Sequence, residues 1–186
     1  MSVLTIHPDD QPQRAEVFSE FDSIARRLRG IGVQFERWRA DCELPACADQ
    51  AAVITAYRGS IERLMQAYGF QSVDVISVRP DHPDKVALRN KFLAEHIHED
   101  FEVRFFVDGR GLFYLHPNDK VYLVLCEQDD LISLPAHTRH WFDMGENPNL
   151  KAIRLFTTPE GWVAHFTGSD IASRFPKLEQ FVAEYG

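Results

Sequence analysis

Two rhythms of apolar residues divide this chain. Up to about residue 94 many apolar positions recur three and four apart, the spacing that gathers side chains on one face of a helix. Val17, Phe18, Phe21, Ile24, Ala25 and Leu28 predict a helix within residues 13–29, closed by Gly30. Residues 32–38 alternate and predict a short strand with Val33 and Phe35 on one face. Val53, Ile54, Tyr57, Ile61, Leu64, Met65 and Tyr68 predict a longer helix that stops at Gly69. Val73 to Val78 reads as a strand and Pro80 to Pro83 as a loop. Asp84 is placed to cap a helix through Val86, Leu88 and Phe92.

From residue 95 the rhythm shortens. Apolar runs at 95–98, 102–107, 112–116, 121–126, 131–134, 138–142, 150–156 and 161–166 read as strands. Turn residues separate most of them: Asp108-Gly-Arg-Gly111, Pro117-Asn-Asp119, Gln128-Asp-Asp130 and Gly145 to Asn149. Such a series makes a sandwich or small barrel. Residues from Ser169 onward look helical, interrupted at Phe175-Pro176. The expected fold is mainly β, a β-barrel with flanking α-helices in one domain spanning residues 1–186. Its parts are a mostly helical region 1–94, a barrel core 95–168 and a helical segment 169–186.

Composition narrows the function classes. A chain of 186 residues is long enough for one domain with a sizeable core. Its net charge of −8, with Lys and Arg scattered, lacks the basic stripe of a nucleic-acid surface. No apolar run approaches the ~20 residues of a membrane span, and Met1 to Pro12 is too polar for a secretory signal. Cys42, Cys47 and Cys126 are too few and odd in number for a disulfide framework. The expectation is a cytoplasmic, monomeric protein with reduced thiols.

One stretch does not fit a plain core. Residues 95–109 pack His96, His98, Glu102 and Arg104 into nine positions between apolar runs. In an extended strand His96 and His98 project to one face, as do Glu102 and Arg104. Burying these groups unpaired would cost several kcal/mol each, whereas a bound cation compensates three at once. Two imidazoles and a carboxylate suit iron, nickel, manganese or zinc rather than calcium or magnesium. His140, leading into Trp141 and Phe142, is the best fourth ligand, and His137 is placed in the loop or behind the ligands. His7, His82, His116 and His165 read as solvated or structural.

These residues carry a family resemblance. His96-x-His98-x-x-x-Glu102, with Gly109 beyond, resembles the first cupin motif, and Pro135-x-His137-x-x-His140 the second in altered form. The cupin pattern would have glycines where Asp129 and His137 stand, and an asparagine at Met144. Glu102 to Gly109, Pro135 to Gly145, Ala152 to Phe156 and Gly161 to Ala164 together resemble bacterial acireductone dioxygenase over about residues 70–180. That family commonly has an acidic residue just before the ligand glutamate; here Phe101 stands there, with Asp100 one earlier.

The resemblance implies a cupin-type β-barrel (a double-stranded β-helix) in which His96, His98, Glu102 and His140 hold one Fe(2+) or Ni(2+) per chain. It implies dioxygen as co-substrate and a small-molecule acireductone of methionine salvage as substrate. It further implies 4-methylthio-2-oxobutanoate plus formate from the iron form, and 3-methylthiopropionate, formate and CO from the nickel form. Arg104 and Arg154 are candidates to stabilise substrate charge, a structural ion pair being the alternative for each. Phe92, Phe142 and Trp162 are candidates to line the substrate pocket, and Asp100 and His137 to support the ligands. Another cupin enzyme, an isomerase or dioxygenase, and a non-catalytic cupin that binds a metal or small ligand are the rival readings.

Overall fold

A computed structural model describes residues 1–40, 42, 44–45, 47–158 and 162–186. Eleven antiparallel strands form two leaves that share one long strand. In chain order they are β1 (Val3–Pro8), β2 (Glu16–Phe18), β3 (Gln34–Arg37), β4 (Ser72–Val78), β5 (His96–Ile97), β6 (Glu102–Leu115), β7 (Lys120–Glu127), β8 (Asp130–Leu134), β9 (His140–Asp143), β10 (Leu150–Phe156) and β11 (His165–Phe166). One leaf runs β11-β5-β9-β6-β7-β1-β2, and the other β4-β10-β6-β8-β3. The first half of β6 pairs with β8 and β10, the second half with β7 and β9. The result is a sandwich of two leaves rather than a closed barrel.

The expected turn at Asp108 to Gly111 is therefore no turn. Residues 102–107 and 112–116 fuse into the continuous strand β6, which bends there as it passes between leaves. Gly109 takes φ 76°, and a Cβ on it would stand 1.7 Å from the Asn149 carbonyl oxygen. Only glycine lets the β9–β10 connection come so close.

Helices surround the leaves: α1 (Phe21–Arg29), α2 (Gln50–Ala56), α3 (Arg58–Tyr68), α4 (Lys85–Phe92) and α5 (Leu178–Tyr185), the last preceded by a 3-10 turn at Ile171–Ser173. Of these, α1 and α4 pack against the core between the leaves and the others on the outer faces. Val53, Tyr57, Ile61 and Leu64 pack on Val103, Phe105, Leu131, Ile153 and Leu155 of one leaf. Leu178 and Phe181 pack on Leu112, Tyr114, Leu123 and Trp141 of the other. Phe106, Phe113, Val124, Ile132 and Phe142 fill the space between the leaves. Among the described residues no helix is long and apolar enough to cross a membrane.

The part before residue 95 is less helical than its pattern suggests. It carries four strands, β1 to β4, beside four helices. Strand β1 hides Val3 and Leu4 but also Ser2, Thr5 and His7 against β7 and its neighbours, so polar residues masked its periodicity. His7 is thus not a loop histidine; it is 2% exposed, bonded to the Thr5 hydroxyl and the Pro12 carbonyl. The helix expected from residue 13 starts only at Phe21, because residues 16–18 pair with β1. The helix expected across 53–68 is broken at Tyr57. Asp84 stands at the start of α4 but its side chain makes no cap bond. The strand expected at 161–166 is confined to β11, and Gly161 lies outside the described residues.

A buried carboxylate fastens two of the helices to the end of β9 opposite His140. Asp143, fully buried at the end of β9, accepts two bonds from Arg89 of α4 (2.7 and 3.0 Å) and one each from the Leu178 and Gly145 amides. Burial alone would raise the Asp143 carboxyl, but Arg89 and the two amides hold it below its ordinary value of 3.8. A carboxyl depressed in the folded state stabilises above the unfolded value and loses that contribution as pH falls through the folded one. Asp143→Asn is expected to cost roughly 3 kcal/mol at pH 7, since it leaves Arg89 without its buried partner. Urea unfolding at pH 7 and at pH 3 checks this: the gap between variant and wild type narrows at the lower pH.

Candidate metal centre

The structure brings His96, His98, Glu102 and His140 into one buried cluster, their ligand atoms all within 4.8 Å of one another. Three elements deliver them: β5 with the residue after it, the first residue of β6 and the first of β9. Strand β9 is the immediate neighbour of β5, with His96 directly opposite His140.

Backbone carbonyls orient all three rings. His96 Nδ1 donates to Ala94 O (2.7 Å), His98 Nδ1 to Val163 O (2.8 Å) and His140 Nδ1 to Thr138 O (2.7 Å). A carbonyl only accepts, so the proton sits on Nδ1 and each neutral ring turns an Nε2 lone pair inward. Glu102 Oε2 lies 2.8 Å from His140 Nε2 and 3.2 Å from His98 Nε2. Between neutral rings and a carboxylate these are acceptors facing acceptors, an arrangement that calls for a positive charge between them, a metal ion or, in its place, a proton. Two donors bonded at about 2.1 Å to one ion lie roughly 3 Å apart, so the cluster fits a bound metal.

Electrostatics keep the carboxylate ionised and one ring neutral. Burial, reinforced by the neighbouring His140, lowers His96 to about 4, so this ring is neutral at pH 7. Burial would raise the Glu102 carboxyl, but the Arg104 charge and the His140 and His98 bonds hold it well below the ordinary range. Burial works against a charge on His98, yet the hydrogen bond and the charge of Glu102, together with the Val163 carbonyl, outweigh it and raise that ring.

Arg104 is 4% exposed and stands 2.8 Å by Nε from Glu102 Oε1, an ion pair without hydrogen-bond geometry. Its Nη1 makes no hydrogen bond. Burial lowers its pKa, Glu102 opposing, and the guanidinium stays charged because its intrinsic pKa lies so high. Four rings surround it: Phe142 at 4.6 Å, Phe113 at 5.2 Å, Trp162 at 5.7 Å and Phe92 at 5.8 Å. Phe142 reaches this place over Gly111, whose Cβ would fall 2.1 Å from the ring.

A scan against family models matches residues 3–164 to the one described as ARD/ARD' family. The chain belongs to the ARD/ARD' family. An acireductone dioxygenase of Methylococcus capsulatus is 60% identical over 185 residues, covering 100% of both chains. One of Aquifex aeolicus is 62% identical over 159 residues, covering 86% of this chain and 87% of that one. Among solved structures, an acireductone dioxygenase from Bacillus anthracis with a cadmium ion in its active centre superposes with a TM-score of 0.79 at 30% identity, covering 89% of this chain and 98% of that one.

The other residues singled out by the sequence divide. Phe92, Phe142 and Trp162 do share the wall around Arg104, and Trp162 also stacks on His98 at 5.7 Å. Arg154 faces away from Ile153 and Leu155, and its Nε and Nη2 are bonded to Asp74 on β4 (2.8 and 2.5 Å). Asp100 does not touch the ligands: its carboxylate accepts the Thr157 amide and hydroxyl. With Phe101 and Thr157 it lines a cavity of about 340 Å³ on the opposite face of β6, where Val103 points. His137 supports the site through its backbone, donating its N–H to His98 O at 2.8 Å. Both Asp129 and His137, where the cupin pattern has glycine, adopt the left-handed conformation with φ 79° and 62°. The glycine shape is kept by residue types that tolerate it.

Sequence reasoning passed over Phe113 and Asp74. Phe113 carried no signal within an apolar run, whereas Asp74 stood out as a charge between Val73 and Val75. The cluster predicts saturable metal binding. Nickel(II) at a hundredfold excess over its Kd should stabilise the protein by about 2.7 kcal/mol. His96→Ala and Glu102→Ala should lose most of this in thermal-shift titration.

Proposed function

We propose that this chain is an acireductone dioxygenase that binds Fe(2+) or Ni(2+) and acts as a cytoplasmic monomer in methionine salvage. The observation that carries this reading is the buried set of three imidazoles and a carboxylate facing a charged, aromatic-walled Arg104. The relatives named acireductone dioxygenase along the full length of the chain support it.

His96, His98, Glu102 and His140 hold the ion, which when bound supplies Lewis acidity and a template for an ene-diolate and dioxygen. These four residues would leave the ion able to take donor oxygens from a small substrate. Arg104 stands beside Glu102, where its fixed positive charge favours the anionic form of an ene-diol and any oxyanion that develops from it. Because the guanidinium is buried, that interaction is screened little by water. Phe92, Phe113, Phe142 and Trp162 keep the surroundings apolar and suit a methylthio tail. Arg154, held by Asp74, adds positive potential near Arg104, its neighbour across the strand pair, rather than a free donor.

The ion decides the products in this proposal: 4-methylthio-2-oxobutanoate and formate with iron, or 3-methylthiopropionate, formate and CO with nickel. The test is to strip the protein, reload it with each ion, and identify products from acireductone under oxygen. The two distinct product sets support the reading. Oxygen uptake no faster than in the metal-free control, with metal bound, would point to a cupin that binds without catalysis. Arg104→Met should lower kcat/KM by about 10²- to 10³-fold, the loss typical of one oxyanion-stabilising donor, measured by oxygen consumption.

A further inference from the structure

Behind the ligands lies a second buried pair that the proposed chemistry does not use. Glu95, 2% exposed and next to His96, turns its carboxylate away from the cluster. Its Oε2 lies 2.6 Å from His116 Nδ1, and its Oε1 accepts the Thr167 hydroxyl at 2.7 Å. The Thr167 amide donates to the Glu95 carbonyl at 3.1 Å. His116, 5% exposed, lies at the end of β6, and its own amide donates to the carbonyl of Arg139 at 2.8 Å. Arg139 immediately precedes His140. One imidazole–carboxylate pair therefore joins the residues directly ahead of two candidate ligands.

The backbone around these ligands leaves much to be held. Strand β5 has two residues, with one pairing to β9 and two to β11, the short edge strand of its leaf. A ladder that short does not fix two rings to the ~0.5 Å a metal site demands. Side-chain bonds behind the ligands supply such constraint in metal sites generally, and their loss typically costs 10- to 100-fold in affinity.

We propose that Glu95 and His116 are positioning residues of the metal centre, setting the spacing of His96 from His140, with Thr167 as a third anchor. This rests on the metal-site reading above. A carboxylate suits the task because its two oxygens reach two chain segments at once.

Cobalt(II) titration of the metal-stripped protein tests it, read by calorimetry and by the visible absorption bands of the bound ion. Glu95→Ala is expected to weaken cobalt(II) binding 10- to 100-fold and to shift the bands. Glu95→Gln, whose carbonyl accepts from His116 and whose amide donates to Thr167, should restore both to near wild type. Where the alanine variant does not fold, Thr167→Val, which removes one hydroxyl, should give the same change at smaller amplitude. Unaltered affinity and bands in Glu95→Ala, or in Thr167→Val where only that variant folds, would overturn the proposal even if melting falls, since the pair would then serve the fold alone. A wild-type chain that binds no cobalt(II), matching His96→Ala, would instead overturn the metal-centre reading itself.

Discussion

Everything near the centre answers to the burial of Glu102. A carboxylate removed from water is costly unless compensated, and this one is 1% exposed. Arg104 approaches one oxygen, while His98 and His140 crowd the other. The rings cannot satisfy it as neutral groups, because their ring protons are committed to backbone carbonyls. A bound cation resolves that conflict, and it does so without disturbing the Arg104 pair.

That cluster can exist because β6 belongs to two leaves. Its first residues, Glu102 and Arg104, are held by β8 and β10; its last, Leu115 and His116, reach β9 and the residue before His140. The bend at Gly109 connects these tasks, and it requires a residue with no side chain. Asp143 then fixes the far end of β9 to α4 and α5. Strand, bend and helix contacts thus converge on a few positions next to the ligands.

Described residues beyond β10 brace the residues on either side of His98. Thr157 is tied to Asp100, the Trp162 indole donates to the Phe101 carbonyl, and the Val163 carbonyl receives the His98 ring proton. Phe101, where the family commonly has an acidic residue, offers its backbone to Trp162 and its half-exposed ring to the outer cavity. Support for His98 therefore comes from main-chain atoms, which a change of side chain at position 101 leaves in place.

Much of this was legible because it is local. The alternation His96-x-His98 and the run of short strands depend on neighbours in sequence, and the strand period of two makes them readable. So was Arg104 beside Glu102, two residues apart on one strand. What depends on distant pairing was not. Strand β1 looked like a polar terminus because it carries Thr5 and His7, and only its pairing with the distant β7 buries them. The residues 108–111 had the composition of a turn, yet the approach of Asn149 and the pairing with β7 and β10 made them a bend within β6. Arg154 faced the right way, but only the pairing of β10 with β4 put Asp74 opposite it. The sequence by itself determined the ligand types and a mainly β architecture; the tertiary structure decided which carboxylate Arg154 meets and what holds the ligands at their spacing. Side-chain direction is set within one strand, whereas charge compensation is settled between segments that lie far apart in the chain.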